Sequence, residues 1–195
     1  EIDMQYLWSP KTQSNGASSV FYDNMRRATP GDLVLSYADQ VIRYVGRVAE
    51  FAFTAPKPAE FGSVGTYWQS EGWLLPVYWT PLTAPVRPKN LIDILGPLLP
   101  QKYSPIRPQS GHGNQGVYLA SISKEVFDVV VAATTFDYQT LMRGGANSLT
   151  YQVVTETLDD AAERTLLNDL TLEDTVRRSV IQARRGQGLF RSNVE

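Results

Sequence analysis

The sequence predicts an α+β domain, rich in strands and with short helices, over residues 1–135, followed by a helical connector over 136–195. Three observations carry this. The run DLVLSYADQVIRYVGRVAEFAF (32–53) holds two β-rich segments, LVLSY and VIRYVGRVAEFAF, separated by Ala38-Asp39-Gln40, which is the pattern of a hairpin. Helix-like segments flank the strands, with apolar residues at helical spacing. From Thr135 onward the character changes to a charged stretch with apolar residues at helical intervals.

The elements follow in order. SSVFYDNMRRA (18–28) has Val20, Phe21 and Met25 on one helical face and stops at Thr29-Pro30-Gly31, a helix followed by a turn. WLLPVYWTPL (73–82) reads as a strand, and Pro76 predicts an edge or bulge position, because proline cannot donate to a ladder. PKNLIDILGPLLPQKY (88–103) predicts one short helix ended by Gly96-Pro97, and SPIRPQSGHGNQG (104–116) a polar loop. VYLASIS (117–123) predicts a further strand, and KEVFDVVVAAT (124–134) a helix, with strand as its alternative. In the connector, residues 156–174 are strongly acidic, whereas 177–191 carry Arg177, Arg178, Arg184, Arg185 and Arg191 and no acid. Such a mixed-charge helix is by default a solvated face.

The chain has 195 residues, 43% of them hydrophobic, enough to bury a core in one domain with an appendage. Eighteen Lys+Arg against 20 Asp+Glu leave a net charge of -2, so a nucleic-acid binder with this balance must gather its positive charge into patches. The absence of cysteine excludes disulfides and thiolate zinc sites and agrees with a cytoplasmic location. No stretch approaches the roughly 20 apolar residues of a membrane helix, and no membrane partner is expected. EIDMQYLWSP has no signal-peptide character.

Enzymatic motifs are missing. His112, the single histidine, lies in a Gly-flanked loop and reads as a residue that hydrogen-bonds or caps; a Ser-His-Asp triad would need it as base. No phosphate loop or G-x-G-x-x-G occurs, and no catalytic residue is assigned. The aromatics are more informative. Trp79, inside LLPVYW, suits a core, whereas Trp8 and Trp68 have polar neighbours, and Trp73 follows Trp68 by five residues. Planar faces beside polar loops suit the stacking of an unpaired base, and core or surface packing is the competing reading. Basic and polar donors gather at Arg87, Lys89, Lys102 and Arg107, and in the loop carrying Gln109, Asn114 and Gln115; an ordinary exposed loop accounts for the latter equally well.

YLWSPK (6–11), FYDNMRRATPGDLVLSYAD (21–39), RPKNLIDILGPLLPQKYSPI (87–106) and GNQGVYLASIS (113–123), in this order and spacing, resemble an EVE domain of the PUA-like superfamily. In particular they resemble the specificity part of EVE–HNH modification-dependent restriction endonucleases, and ARRGQGLFRSNVE (183–195) resembles the segment ahead of the HNH nuclease. The resemblance implies a bent, barrel-like sheet with short helices. It is similar to the YTH domain, whose aromatic cage holds a methylated base, and this implies a cage of Trp8, Trp68 and Trp73. Ser9, Ser36, Tyr37 and Asp39 would bond the base edge, and Arg87, Lys89, Lys102, Arg107, Gln109, Asn114 and Gln115 would meet the DNA backbone.

The implied partner is double-stranded DNA carrying 5-methylcytosine or 5-hydroxymethylcytosine, read by base flipping. Two features depart from the family. Its opening strand does not precede YLW, and the histidines and metal ligands of an HNH nuclease are lacking. Cleavage, and the divalent metal it needs, are therefore expected of a module outside this chain, which itself needs no cofactor. Two other readings stand beside this one: a YTH-like RNA reader without nuclease, and an interaction module that forms a homodimer through its C-terminal helix 156–185.

Overall fold

The structure, a computed structural model, describes residues 1–136. Its elements are β1 (Tyr6–Pro10), α1 (Val20–Arg27), β2 (Leu33–Ala38), β3 (Val41–Val48), β4 (Phe53–Pro56), β5 (Glu71–Val86), α2 (Ile92–Leu98) and α3 (Lys124–Ala132), with 3₁₀ turns at Ala59–Phe61 and Pro88–Leu91. The architecture is mixed α/β, a curled antiparallel half-barrel sheet with three short helices. The strands run in the order β1-β5-β3-β2, and β4 also pairs with β5. The expected connector, with its helix 156–185 and the tail 183–195, lies outside the described residues.

The hairpin forms where the sequence places it. Asp39 and Gln40 take φ of 52° and 63°, so the turn between β2 and β3 is of the mirror-image type whose twist matches the strands. A non-glycine residue in this region costs about 1–2 kcal/mol. Gln40→Gly should therefore raise stability by roughly 0.5–1 kcal/mol net of glycine's own entropy. A urea midpoint below that of the parent protein would contradict it.

Strand β5 corrects the reading of Pro76. It is not an edge strand: β1 lies on one side of it, β4 and β3 on the other. Proline is tolerated there because of a gap. The β4 pairing ends at Leu74↔Phe53 and the β3 pairing begins at Val77↔Val48, so the missing N–H falls opposite the chain between the two strands. The Pro76 carbonyl still accepts from the Ala49 N–H at 2.9 Å.

Over residues 72–79 β5 is buried or half-buried at every position, which explains the apolar run there; beyond it Pro81, Thr83, Ala84 and Pro85 are exposed. Leu75, Val77 and Trp79 point to one face and pack with Val48 and with Met25 of α1, whose side chain is fully buried. Leu82 and Val86 point to the other, where Ile42, Val45, α2 (Leu95) and α3 (Val126, Phe127, Val130) close the second cluster. The Ser123 hydroxyl caps α3 by accepting from the Val126 N–H at 3.4 Å. Helix α2 runs through Gly96-Pro97 to Leu98, one residue beyond the pair expected to end it.

The strand expected over 117–123 does not form. The segment bends at Tyr118 and Leu119 and is divided between the two clusters, Tyr118 and Leu119 against the α1 side and Ile122 against α2 and α3. The Leu119 carbonyl is taken by the side-chain amide of Asn24 at 2.9 Å instead of a ladder.

Candidate nucleic-acid interface

Strand β1 pairs with the first half of β5, Trp8 opposite Leu74 and Ser9 opposite Trp73. Opposed residues share a face, so Trp8 and Trp73 project from opposite sides of the sheet. Trp8 is 1% exposed, and its indole N–H donates to the Ala55 carbonyl of β4 at 3.3 Å. Gly72 lies directly beneath: a Cβ there would stand 2.4 Å from the indole.

The loop over residues 57–70, between β4 and β5, folds onto that indole. Trp68 lies 6.1 Å from Trp8, ring centre to centre, with the planes 35° apart, and Phe61 lies 5.7 Å from Trp8 and 6.2 Å from Trp68. The loop is closed at its neck by the Lys57 N–H on the Ser70 carbonyl at 2.7 Å. The Lys57 ammonium donates to the carbonyls of Gly62, Val64 and Gly65 and lies 5.9 Å from the Trp68 ring. The Tyr6 hydroxyl donates to the Glu60 carboxylate, and burial followed by that carboxylate pushes the phenol's pKa up. Trp68 itself is half-buried and Tyr67 is exposed.

Of the three tryptophans expected to form a cage, the fold thus joins Trp8 and Trp68 and sets Trp73 elsewhere. Trp73 lies between the ammonium of Lys11, at 4.8 Å, and the guanidinium of Arg26, at 5.0 Å, and packs against the cluster around Met25. The third ring is Phe61, which the sequence reading did not single out. Its only sequence signal is an aromatic inside the otherwise polar PKPAEFGSVG.

The residues expected at the base edge are dispersed. Ser9 is fully buried beside Trp73, its hydroxyl donating to the Pro10 carbonyl at 3.1 Å. Ser36 and Tyr37 flank a bulge on β2, at the opposite end of the strand order from β1. The Tyr37 hydroxyl donates to the Gly111 carbonyl at 3.1 Å, and Asp39 is exposed in the hairpin turn.

The expected backbone contacts are better grouped. Arg87, Lys89, Lys102 and Arg107 are all exposed, and none makes an ion pair among the described residues. Arg107, Gln109, Asn114 and Gln115 line one cleft of about 490 Å³. The loop behind it is well fixed. Arg107 N–H donates to the His112 carbonyl at 2.7 Å, and Asn114 gives its backbone N–H to Pro105 and its side-chain amide to Ser104, at 3.0 and 2.9 Å. Asn114 is therefore a brace for this loop. His112 is exposed and bonded through its backbone, as a loop residue.

Tyr118 links β1 to α1. Its hydroxyl accepts from the Trp8 N–H at 2.9 Å and donates to the Glu1 carboxylate, while its ring meets Tyr22 of α1 edge-on at 6.5 Å. Burial, then the Glu1 carboxylate, pushes its pKa well up. Burial, then the phenol of Tyr67, likewise raises the pKa of Tyr22.

No protein-family model matches the chain, and no curated protein sequence matches it significantly. Among the described residues no helix is long and apolar enough to cross a membrane, and no cluster of His, Asp or Glu is suited to a metal ion.

Proposed function

We propose that residues 1–136 are an EVE-type, PUA-like reader that takes a 5-methylcytosine or 5-hydroxymethylcytosine out of a DNA duplex and holds it at the Trp8–Trp68 pair. In the parent protein this recognition would direct an HNH restriction endonuclease. One observation carries the reading: a buried indole on a strand and a half-buried indole on a loop meet with their ring centres 6.1 Å apart and their planes tilted by 35°, with Phe61 at their side. The motifs that resemble EVE domains supply the ligand class.

On this reading the events follow an order. A base between two rings needs about twice the roughly 3.4 Å stacking step, or about 7 Å. At 6.1 Å and 35° the pair is closed, so Trp68 must lift and flatten as the base enters. Trp8, held by Ala55 and Gly72, is the fixed wall, and loop 57–70 is the moving one. Unstacking a base costs a few kcal/mol, which the new ring contacts offset. Arg87, Lys89, Lys102 and Arg107 would grip phosphates without regard to sequence.

The test is a titration at ~150 mM salt, where exposed charges are screened as in the cell. One duplex would carry cytosine, 5-methylcytosine or 5-hydroxymethylcytosine, with a methylated RNA strand alongside. A single extra methyl in an apolar site should give roughly 10- to 200-fold preference for modified DNA. Trp68→Ala should bring the ratio close to unity with the fold retained, since the side chain stands on the surface of the core. A variant that keeps its preference would remove Trp68 from the site. Tighter binding of the RNA would make the domain a YTH-like reader instead.

A further inference from the structure

Phe21 on α1 and Tyr103, just beyond α2, meet edge to face with ring centres 6.0 Å apart at 86°. Tyr103 is 63% exposed, and its backbone sits at φ 60°, a region that side-chain-bearing residues seldom adopt. Burial does not account for a tyrosine held in water on a strained backbone. The ring pair forms a ridge between two clefts of about 490 and 520 Å³, within the size range of small-ligand sites.

The first cleft is chemically one-sided. Its polar wall carries the Arg107 guanidinium and the carboxamides of Gln109 and Gln115, and no carboxylate lines it. Arg107 makes no ion pair among the described residues, and the hydrogen bonds around Asn114 fix the loop that bears it. A planar ring beside an unneutralised guanidinium matches a ligand that is planar at one end and anionic at the other. A nucleotide has that form.

We propose that Tyr103 and Arg107 form a second nucleotide site, in which the phenol ring stacks on an unpaired base of a DNA strand and the guanidinium takes the adjoining phosphate. The proposal rests on reading the domain as a DNA binder, but not on the Trp8–Trp68 pair. Every base has a π-face, so this site is indifferent to modification. Helix α1 adjoins both sites: Phe21 belongs to the ridge, and its neighbour Tyr22 touches Tyr118, the partner of the Trp8 N–H.

The test is fluorescence titration of the whole chain with unmodified oligothymidine of about 10 nucleotides, within the site sizes of single-strand binders. Tyr103→Ala should bind it roughly 5- to 100-fold more weakly. Tyr103→Phe keeps the ring and should bind as the parent does. Arg107→Ala should lower the slope of log affinity against log salt by roughly 0.7. Tyr103→Ala should keep the preference for modified duplex that Trp68→Ala loses, so failure of one site is distinguishable from failure of the other. The proposal is overturned if the parent does not bind oligothymidine, if Tyr103→Ala binds it unchanged, or if only Trp68→Ala loses it.

Discussion

Trp8→Ala is expected to cost about 3–5 kcal/mol, the range for removing a fully buried large aromatic. The side chain is 1% exposed and fills the space between β1, β4 and loop 57–70. Its loss would also leave the Ala55 carbonyl without the indole donor, a buried acceptor whose desolvation is then uncompensated. For a chain of this size each kcal/mol lowers the melting temperature by roughly 2–4 °C, so a drop of roughly 6–20 °C should appear by calorimetry. The contrast with Trp68 is the informative part. Both rings face the same space, yet one change should remove stability and the other only discrimination. A Trp8→Ala variant that melts like the parent would mean that the strand–loop contact is not a core contact.

Gly72→Ala is expected to be the most damaging single-methyl addition in the sheet. The added Cβ would lie 2.2 Å from the Ser9 carbonyl and 2.4 Å from the Trp8 indole. A side-chain end can swing away, but the Ser9 carbonyl belongs to the paired strand and cannot move without parting β1 from β5. The cost should reach the upper end of the roughly 1–3 kcal/mol typical of overpacking. Gly16→Ala is the comparison. It has a φ of 80° but nothing within 4 Å, so only the backbone penalty of about 1–2 kcal/mol applies. Urea midpoints that rank Gly16→Ala as the more destabilising change would refute this account of the β1–β5 approach.

The hairpin and two of the helices were legible because their signals are local. Alternating β-formers around Ala38-Asp39-Gln40 and apolar residues at helical spacing around Met25 act within a few residues of themselves. Pro76 misled because the rule that confines proline to edges assumes a continuous partner. Here two partners, β3 and β4, leave a gap between them. VYLASIS has strand composition, but composition cannot reveal that its carbonyl partner is the Asn24 side chain.

At the candidate site the limit is parity. Whether Trp73 shares a face with Trp8 depends on the register Trp8↔Leu74, which a shift of one residue would reverse, and nothing in either segment alone encodes it. Phe61 was hidden for a related reason. Its position follows from the Lys57 ammonium gathering three loop carbonyls, a tertiary arrangement without periodic signature. Side-chain chemistry alone left core packing open for Trp8 and Trp68 and an ordinary exposed loop open for the Arg107 segment. The polar neighbours of Trp8 pointed away from a core, yet its ring is buried, because the burial comes from β4 and loop 57–70, which are remote in sequence.

The outer side of β1 bears on how the molecule behaves at high concentration. A bare strand edge is a template on which a second chain can extend the sheet, the usual first step toward fibrous aggregates. At Trp8 the outward N–H is already taken by the Tyr118 hydroxyl and the Glu1 carboxylate, and Pro10 closes the strand without a donor. The side chains thus act as a stopper on polymerisation, placed at the strand that carries the buried indole of the candidate site.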